Sequence, residues 1–348
     1  MDNPLANDLD FILSQTEGLW EELRGKRIFI TGGTGFFGCW LLESFCWINK
    51  KIGLNAEAWV LTRNPEGFKE KCPHLAIDPS IVLYKGDISN FLFPSGNFPF
   101  IIHASAILND SNIAKMLDTI IHGTYRTLEF ARQAGTKKFL LTSSGAVYGK
   151  QPPEIDQMAE NYNGAPDTMD PQWLYGECKR CAESLCAIYA KNFSIKMKIA
   201  RCFAFVGPYL PLDIHFAIGN FIRNSINGGP ITINGDGTPY RSYLYSADLA
   251  VWLWTILFKG KNMRPYNVGS PNQISIKELA RRIATFSTPP LSVIIKGKTK
   301  TEIPIDQYIP NTLRAKNELN LTEAFSIDDA IKKTILWNKA LIATRKKY

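Results

Sequence analysis

Short apolar runs alternate with stretches of helical periodicity through the first half of the chain. The runs are rich in branched and aromatic residues and have the length of buried strands. They are KRIFITG (26–32), AEAWVLTR (56–63), SIVLYKGD (80–87), FPFIIHAS (98–105) and KKFLLTSS (137–144). Amphipathic stretches follow them, the clearest at residues 36–50 and 112–135. This strand-then-helix order predicts a doubly wound α/β fold, with helices on both faces of a parallel sheet.

Composition and charge narrow the class of protein. The 348 residues are 45% hydrophobic and 21% charged, which is typical of a globular enzyme. A net charge of +8 suits nucleic acid, a membrane surface or a phosphorylated substrate, and no long basic run favours the first two. The most apolar run, LAVWLWTILF (249–258), is too short to span a bilayer. We therefore predict a cytoplasmic protein with neither a nucleic-acid nor a membrane partner.

The cysteine pattern predicts no metal site. Seven cysteines at irregular spacings do not form the framework of a secreted disulfide-rich protein. Cys178 and Cys181 make the single CxxC, and the surrounding pattern puts them on a helix. Helix packing is the preferred interpretation, with a metal or redox function as the alternative.

A glycine-rich loop, TGGTGFFG (31–38), lies between the first strand and its helix. Its glycines allow a tight turn and bring backbone amides close to a pyrophosphate, whose charge the helix N-terminus stabilises. The strand–turn–helix context favours dinucleotide binding over a plain turn, and so a Rossmann-type sheet. The predicted cofactor-binding residues of the loop are Gly32, Thr34, Gly35, Phe36, Phe37 and Gly38.

The ends of the next strands bear on the choice of cofactor. The second strand ends in Thr62 and Arg63, without the carboxylate that binds the adenosine ribose of NAD. An arginine can pair with a 2′-phosphate, so we predict NADP; NAD is the alternative if Arg63 only stacks on adenine. Asp87 either contacts the adenine amino group or caps the next turn. Ile88 and Ala104 complete the predicted cofactor site.

The segment WLYGECKR (173–180) holds a tyrosine and a lysine four residues apart, on one face of a predicted helix. The fifth strand ends at Ser144, at the sheet edge where ligands bind. A free tyrosine has a pKa of about 10, and we expect the Lys179 ammonium to lower the pKa of Tyr175. Ser144 would then hold the reacting oxygen while Tyr175 takes its proton. This context predicts Ser144, Tyr175 and Lys179 as the catalytic residues.

TGGTGFFG, TSSGAVYG, YGECK and RSYLYSADLA resemble the motifs of the extended short-chain dehydrogenase/reductases that modify nucleotide sugars. The resemblance covers residues 25 to 340 or thereabouts. It implies that Tyr175 is the base, that Lys179 binds the nicotinamide ribose and that Ser144 lies beside the substrate hydroxyl. It also implies a homodimer.

The resemblance implies further contacts to the nucleotide-diphosphate sugar. Asn220, in NFI, matches a diphosphate contact, and Arg241 matches an arginine on the pyrophosphate. A bidentate guanidinium suits a phosphate. Arg314 matches an arginine turned toward the nucleotide, with a salt bridge at a helix start as the alternative. His215 lies near the expected substrate loop, where a lone histidine is more often structural.

Three positions depart from the family pattern. RCFAFVGP carries Ala204 where many members have an asparagine that contacts the substrate. Family 4,6-dehydratases carry an Asp-Glu pair after the serine, for protonating the leaving hydroxyl and removing the C5 proton. This chain has Gly145 and Ala146 there, which cannot transfer protons. Family decarboxylases usually keep a glutamate at the second of these positions.

The predicted function is hydride transfer at a sugar ring carbon, C4, by a nucleotide-sugar 4-epimerase. The alternative is an NADPH-dependent 4-keto-sugar reductase. A 4,6-dehydratase is disfavoured, as is a non-catalytic RNA-binding or regulatory protein of the same fold. The predicted domains are an N-terminal arm (1–23), a dinucleotide-binding domain (24–204 plus 242–270) and a smaller nucleotide-sugar-binding domain (205–241 plus 271–348).

Overall fold

The computed structural model of the protein describes residues 3–106, 112–214, 216–298 and 304–345, with side chains through residue 343. The strands are β1 (Arg27–Thr31), β2 (Glu57–Thr62), β3 (Ile81–Lys85), β4 (Phe100–His103), β5 (Lys138–Ser144), β6 (Lys196–Cys202), β7 (Phe205–Val206), β8 (Ile231–Ile233), β9 (Tyr240–Arg241), β10 (Leu244–Tyr245), β11 (Arg264–Val268), β12 (Ile274–Ser275), β13 (Val293–Ile295) and β14 (Gln307–Tyr308). Seven of them form a parallel sheet in the order β11-β6-β5-β4-β1-β2-β3. The predicted doubly wound α/β fold is confirmed.

Helices cover both faces of this sheet and, with the remaining short strands, build the rest of the described molecule. They are α1 (Ala6–Gln15), α2 (Phe36–Ile52), α3 (Pro65–Lys71), α4 (Pro73–Ala76), α5 (Ile113–Leu117), α6 (Gly123–Gln133), α7 (Leu174–Asn192), α8 (Ala217–Ile226), α9 (Ser246–Lys259), α10 (Ile276–Ala284), α11 (Leu313–Leu319) and α12 (Ile327–Arg345). The helix predicted over 112–135 is divided, because a π-helical turn at Asp118–His122 separates α5 from α6.

The strand order fixes where a ligand can bind. β1 lies between β2 and β4, and the chain winds outward from it in both directions. The loops that follow β1 and β4 therefore diverge to opposite faces and leave a crevice at the carboxyl ends of the strands. The glycine-rich loop follows β1, and Ser144 ends β5 at the same edge.

The first residues of the chain are part of the packed core. Leu9 and Ile12 of α1 and Trp20 in the following turn are fully buried. Asp8 accepts hydrogen bonds from the Tyr245 hydroxyl (2.7 Å) and the Lys333 ammonium (2.7 Å), and so connects α1 to the start of α9 and to α12. The segment predicted as an N-terminal arm packs as a structural element of the molecule.

The part of the chain after β6 contributes to two regions. α9 is almost wholly buried, and β11 pairs with β6 at the edge of the main sheet. Small sheets of β12-β9-β14 and β13-β8, with α8 and α10, form the other region. β14 runs parallel to β9, with Tyr308 opposite Arg241. The domain division drawn from the sequence stays a prediction.

Candidate active site

The glycine-rich loop forms a cradle at the N-terminus of α2. Gly32 has φ +70°, and a β-carbon there would collide with the backbone carbonyl of Ala104 at the end of β4. A β-carbon on Gly38 would collide with the backbone of Gly33, so the first turn of α2 packs directly on the loop. α2 begins at Phe36, after Gly35, and its first amides have no partner inside the helix. This geometry fits the pyrophosphate of a dinucleotide.

The structure brings the predicted adenosine-binding residues into one row, because β2 and β3 are neighbours of β1. Arg63 follows β2 and is 60% exposed, with its guanidinium 3.9 Å from a carboxylate oxygen of Asp87. Asp87 accepts hydrogen bonds from the Ser89 amide (3.0 Å) and hydroxyl (2.7 Å), so it caps the following turn. Partial burial raises the pKa of Asp87, but the bonds from Ser89 and the charge of Arg63 leave it below its usual value. Ile88, next in the chain, is buried.

The predicted catalytic residues come together at the end of β5. The Ser144 hydroxyl accepts a hydrogen bond from the Ala146 amide (3.1 Å), and a side-chain hydrogen bond from Ser144 lowers the pKa of Tyr175. α7 starts close to this turn because Gly176 has no side chain: a β-carbon there would lie 2.5 Å from the Ala146 carbonyl oxygen. Tyr175 and Lys179, one helical turn apart, therefore face the end of the strand.

The electrostatics of this group differ from the sequence-based expectation. Burial, together with the neighbouring Tyr308, raises the pKa of Tyr175 well above its usual value. The expected lowering by Lys179 does not prevail, because the Lys179 ammonium lies 5.9 Å from the centre of the Tyr175 ring and donates to the Thr142 carbonyl (2.9 Å). Burial also lowers the pKa of Lys179 to about 8. Desolvation thus outweighs charge attraction for both groups.

A partly buried ion pair, which the sequence analysis did not identify, holds α7 on the sheet. Glu183 accepts bonds from two guanidinium nitrogens of Arg201 on β6 (3.0 and 2.7 Å) and from the Ser143 hydroxyl (2.5 Å). Glu183 lies one turn beyond Lys179, so the pair sets the position of the helix relative to β5 and β6. The only sequence signal for this ion pair is the charged residue Glu183, four positions after Lys179.

A histidine at the end of β4 was also missed. His103 is fully buried between the hydroxyls of Thr31 (2.8 Å) and Thr124 (3.0 Å). Burial and the nearby charge of Lys179 lower the pKa of His103 to about 3, so it stays neutral. It fixes the relative positions of β1, β4 and α6 beneath the crevice.

The positions that carry acid and base in dehydratases are filled by other groups. A β-carbon on Gly145 would lie 2.6 Å from the Tyr308 hydroxyl and 2.7 Å from the Phe203 ring. The rings of Phe203 and Tyr308 pack with their centres 4.6 Å apart. Nothing in the sequence connected Tyr308 with this site, because it comes from the C-terminal region and from no recognised motif.

The predicted substrate residues lie in different surroundings. Asn220 donates to the backbone carbonyls of residues Ile214 (2.9 Å) and Phe216 (3.2 Å), and borders a groove of about 530 Å³ between α8 and β8. Arg241 pairs with Asp306 (2.5 Å) on the segment that leads into β14. Arg314 donates to the Pro265 carbonyl (2.8 Å), and its guanidinium lies 3.7 Å from a carboxylate oxygen of Glu160. This geometry matches the salt bridge that is the alternative to a nucleotide contact.

The remaining sequence-based predictions concern His215, the two CxxC cysteines, metal binding and membrane spans. His215 lies outside the described residues. Cys178 and Cys181 are free thiols on α7. Within the described ranges, His, Cys, Asp and Glu side chains form no group of three suited to a metal ion. Nor does any helix there have the length and apolar character needed to cross a membrane.

Comparisons with known proteins agree with this geometry. A sequence profile described as the NAD dependent epimerase/dehydratase family matches residues 28–269. UDP-glucuronic acid decarboxylase 1 of Arabidopsis thaliana is 31% identical over 311 residues, which cover 89% of this chain and 69% of that protein. UDP-glucuronic acid decarboxylase 6 of the same plant is 30% identical over 295 residues, covering 84% and 83%.

Solved structures support the fold. UDP-glucuronic acid 4-epimerase from Bacillus cereus in complex with NAD has a TM-score of 0.76 at 22% identity, covering 90% of this chain and 99% of its own. dTDP-glucose 4,6-dehydratase from Bacillus anthracis in complex with NAD has a TM-score of 0.74 at 20% identity, covering 90% and 97%. The chain therefore belongs to the NAD dependent epimerase/dehydratase family of nucleotide-sugar enzymes, within the extended short-chain dehydrogenase/reductases.

Proposed function

We propose that this protein interconverts two nucleotide sugars by reversible hydride transfer at C4, as a nucleotide-sugar 4-epimerase. One contrast carries the proposal. The constellation of Ser144, Tyr175 and Lys179 is complete, whereas Gly145 and Ala146 offer no group that transfers a proton. The site is equipped to oxidise and reduce a hydroxyl-bearing carbon, and lacks a second acid and base beside it.

Each catalytic residue has a defined task in this cycle. A nicotinamide coenzyme held by the glycine-rich loop and Lys179 would supply the hydride acceptor and donor for C4. Tyr175, as the phenolate, takes the proton from the C4 hydroxyl, and Ser144 donates a hydrogen bond to the same oxygen. Tyr175 returns the proton when the other face of the ketone is reduced. Lys179 holds the nicotinamide ribose, and the hydrogen bond from Ser144 opposes the rise in the pKa of Tyr175 that burial causes.

Two reactions of the relatives are disfavoured by the same positions. Elimination of water from C5 and C6 needs an acid at the leaving oxygen and a base at C5, and the space beside Gly145 holds the Tyr308 hydroxyl and the Phe203 ring instead. The family resemblance implies that decarboxylases usually keep a glutamate where this chain has Ala146. Sequence similarity to them therefore supports the family more strongly than it supports their reaction.

We infer that NADP is the cofactor, with NAD as the alternative. The carboxyl end of β2 presents the exposed guanidinium of Arg63, and no carboxylate follows that strand directly. A guanidinium can pair with a 2′-phosphate, which NAD lacks. Asp87, 3.9 Å away, would hold Arg63 at the edge of the adenosine site.

We further propose that the groove beside α8 takes the nucleotide and that Arg241 approaches the diphosphate. Asn220 borders this groove, and the lining also includes Arg223, Asn224 and Asn234. Arg241 lies on β9 directly opposite Tyr308, which contacts the catalytic group. Arg314 remains a weaker candidate, because Glu160 and the Pro265 carbonyl hold its guanidinium.

A keto-sugar reductase is the second candidate, and Arg63 is the observation that favours it. NADPH is the usual biosynthetic reductant, and reduction of a 4-ketone needs only the second half of the epimerase cycle. The same residues would act, with Tyr175 as the proton donor.

The test is incubation with a panel of nucleotide sugars, with and without added NADPH, analysed by mass spectrometry and NMR. An epimerase converts a substrate into a product of identical mass without consuming cofactor. A reductase adds two hydrogens and consumes NADPH in proportion. Loss of water or of carbon dioxide from the substrate would contradict both.

We propose that the enzyme acts as a cytoplasmic homodimer. Exposed apolar side chains lie on the helical side formed by α5, α6 and α7, among them Ile113 (60% exposed), Tyr125 (52%) and Ile188 (53%). All seven cysteines are free, as expected in a reducing compartment. Light scattering on the purified protein should give twice the mass of the chain; a monomeric mass would contradict the dimer.

A further inference from the structure

The Tyr308 side chain lies beside the catalytic group, next to Ser144 and Gly145. Its hydroxyl fills the space that a side chain at residue 145 would take, 2.6 Å from where the β-carbon would be. It also lies close enough to Ser144 for a hydrogen bond between the two side chains, which lowers the pKa of Tyr308. Three hydroxyls, those of Ser144, Tyr175 and Tyr308, therefore meet at the end of β5.

The position of Tyr308 is set by its backbone. β14 pairs with β9, and the next residue, Ile309, donates its amide to the Gln151 side chain (2.9 Å). The Ile309 carbonyl accepts from the Met158 amide (2.8 Å). These bonds fix the backbone around Tyr308 to β9 and to the loop after β5. The Tyr308 hydroxyl is therefore held beside Ser144 by contacts that lie outside the catalytic group.

Counting hydrogen bonds at Ser144 shows what this hydroxyl can do. A serine hydroxyl has one hydrogen to donate and accepts two bonds. The Ala146 amide fills one acceptor position (3.1 Å). If the Tyr308 hydroxyl fills the other, the single hydrogen of Ser144 is left to point toward Tyr175 and the substrate oxygen between them.

We propose that Tyr308 is a positioning residue that donates a hydrogen bond to Ser144 and thereby directs the Ser144 hydrogen to the C4 oxygen, from the space left free by Gly145. This rests on the proposed function, since it concerns the same reaction. Tyr308 acts through Ser144, and it replaces with a neutral hydroxyl the group that other members carry at residue 145. Gly145 leaves open the space that the Tyr308 hydroxyl occupies, and we call these two residues the complementary pair.

Tyr308 also affects the base, through Ser144. The side chains next to Tyr175 are Tyr308 on β14, Ser144 on β5, Cys202 on β6 and Lys179 on its own helix, and the hydrogen bond from Ser144 lowers the pKa of Tyr175. Without the Tyr308 hydroxyl, the Ser144 hydrogen is free to turn away from Tyr175, which should raise the pKa of Tyr175. Activity that needs the phenolate rises as pH passes this pKa, so the acid limb of the pH profile should move to higher pH.

The test is Tyr308→Phe, measured as kcat and KM across pH. We expect kcat at the optimum to fall about tenfold, the effect of one lost hydrogen bond, with little change in KM. We also expect the acid limb to move to higher pH, because the pKa of Tyr175 loses the lowering that the Ser144 hydrogen bond gives it. Tyr148→Phe is the matched control, because its hydroxyl donates to Asn267 (2.7 Å) and not to Ser144. It should lower Tm and leave the acid limb in place.

A second pair of variants tests the shared space. Gly145→Ala should reduce kcat strongly in the wild type and less in the Tyr308→Phe background, because the hydroxyl that meets the new methyl group is then absent. Equal losses in both backgrounds would overturn the complementary pair. Wild-type kcat and an unmoved acid limb in Tyr308→Phe would overturn the positioning by Tyr308. If the wild type converts no nucleotide sugar, the proposed function fails instead, and the two failures are distinct.

Discussion

At the scale of single residues, Tyr175 is the proposed base, and its replacement tests that role directly. Tyr175→Phe removes the base and keeps the ring that packs at the start of α7. Proton transfer by such a group contributes about 10²–10⁴-fold to the rate, so kcat should fall by that factor. The fold and the affinity for the coenzyme should be unchanged by circular dichroism and fluorescence titration. Retention of more than about a tenth of the activity would show that another group is the base.

Arg63 determines, in our account, which coenzyme binds. Arg63→Ala should weaken NADP(H) by about 1.5–3 kcal/mol and leave NAD(H) almost unchanged, because only the 2′-phosphate loses a charge-assisted partner. Dissociation constants for both coenzymes measure this. Lys69→Ala is the matched control, since Lys69 is an exposed cation on α3 paired with Glu66 (2.8 Å). Equal affinity of the unmutated protein for NAD(H) and NADP(H) would already contradict the proposal.

Local motifs and distant residues differ in how far the sequence predicts them. Ser144, Tyr175 and Lys179 stand in recognisable motifs, and the structure brings them together at the end of β5. Tyr308 reaches the same point from β14, far along the chain, and its connection depends on strand pairing that periodicity does not encode. The raised pKa of Tyr175 was missed for a related reason: burial is a property of the folded surroundings.

At the scale of elements, α7 carries the base and must be held in register with β5. The Glu183 and Arg201 side chains are only 16% and 15% exposed, so removing one partner leaves a mostly shielded charge without its hydrogen bonds. Glu183→Ala should cost roughly 1–3 kcal/mol in the free energy of unfolding and also reduce kcat. Glu177→Ala, on the same helix, breaks a more exposed contact to Arg180 (3.8 Å) and should cost about 0–1 kcal/mol. Similar losses from the two variants in chemical denaturation would contradict this role for the pair.

The strands were predicted more faithfully than the irregular regions. The five apolar runs contain β1 to β5, because buried parallel strands need continuous branched and aromatic residues. The strands after β6 are two to five residues long, and a two-residue strand such as β9 or β14 has no periodicity to detect. The packing of α1 was missed because the partners of Asp8 are Tyr245 of β10 and Lys333 of α12, which lie far along the chain.

At the scale of the whole molecule, Asp248 should make stability depend on pH. Burial raises the pKa of Asp248 to about 7, although the amides of Ala324 and Phe325 donate to it. A raised carboxyl pKa means that the folded state binds more protons than the unfolded state between the two values. The free energy of unfolding should therefore fall as pH rises from about 4 to about 7. Asp248→Asn should reduce this slope in denaturation series; an unchanged slope would exclude Asp248 as its source.

The central claim is that the whole site performs redox chemistry at C4 and no elimination. The most direct measurement uses a nucleotide hexose carrying deuterium at C4, with the product analysed by mass spectrometry and NMR. An epimerase removes this hydride and returns it to the same carbon, so we predict an epimer of unchanged mass with deuterium still at C4. A dehydratase would lose water and deliver the deuterium to C6, and a decarboxylase would lose carbon dioxide. Either product would contradict the account and would mean that groups other than Gly145 and Ala146 supply the acid and base.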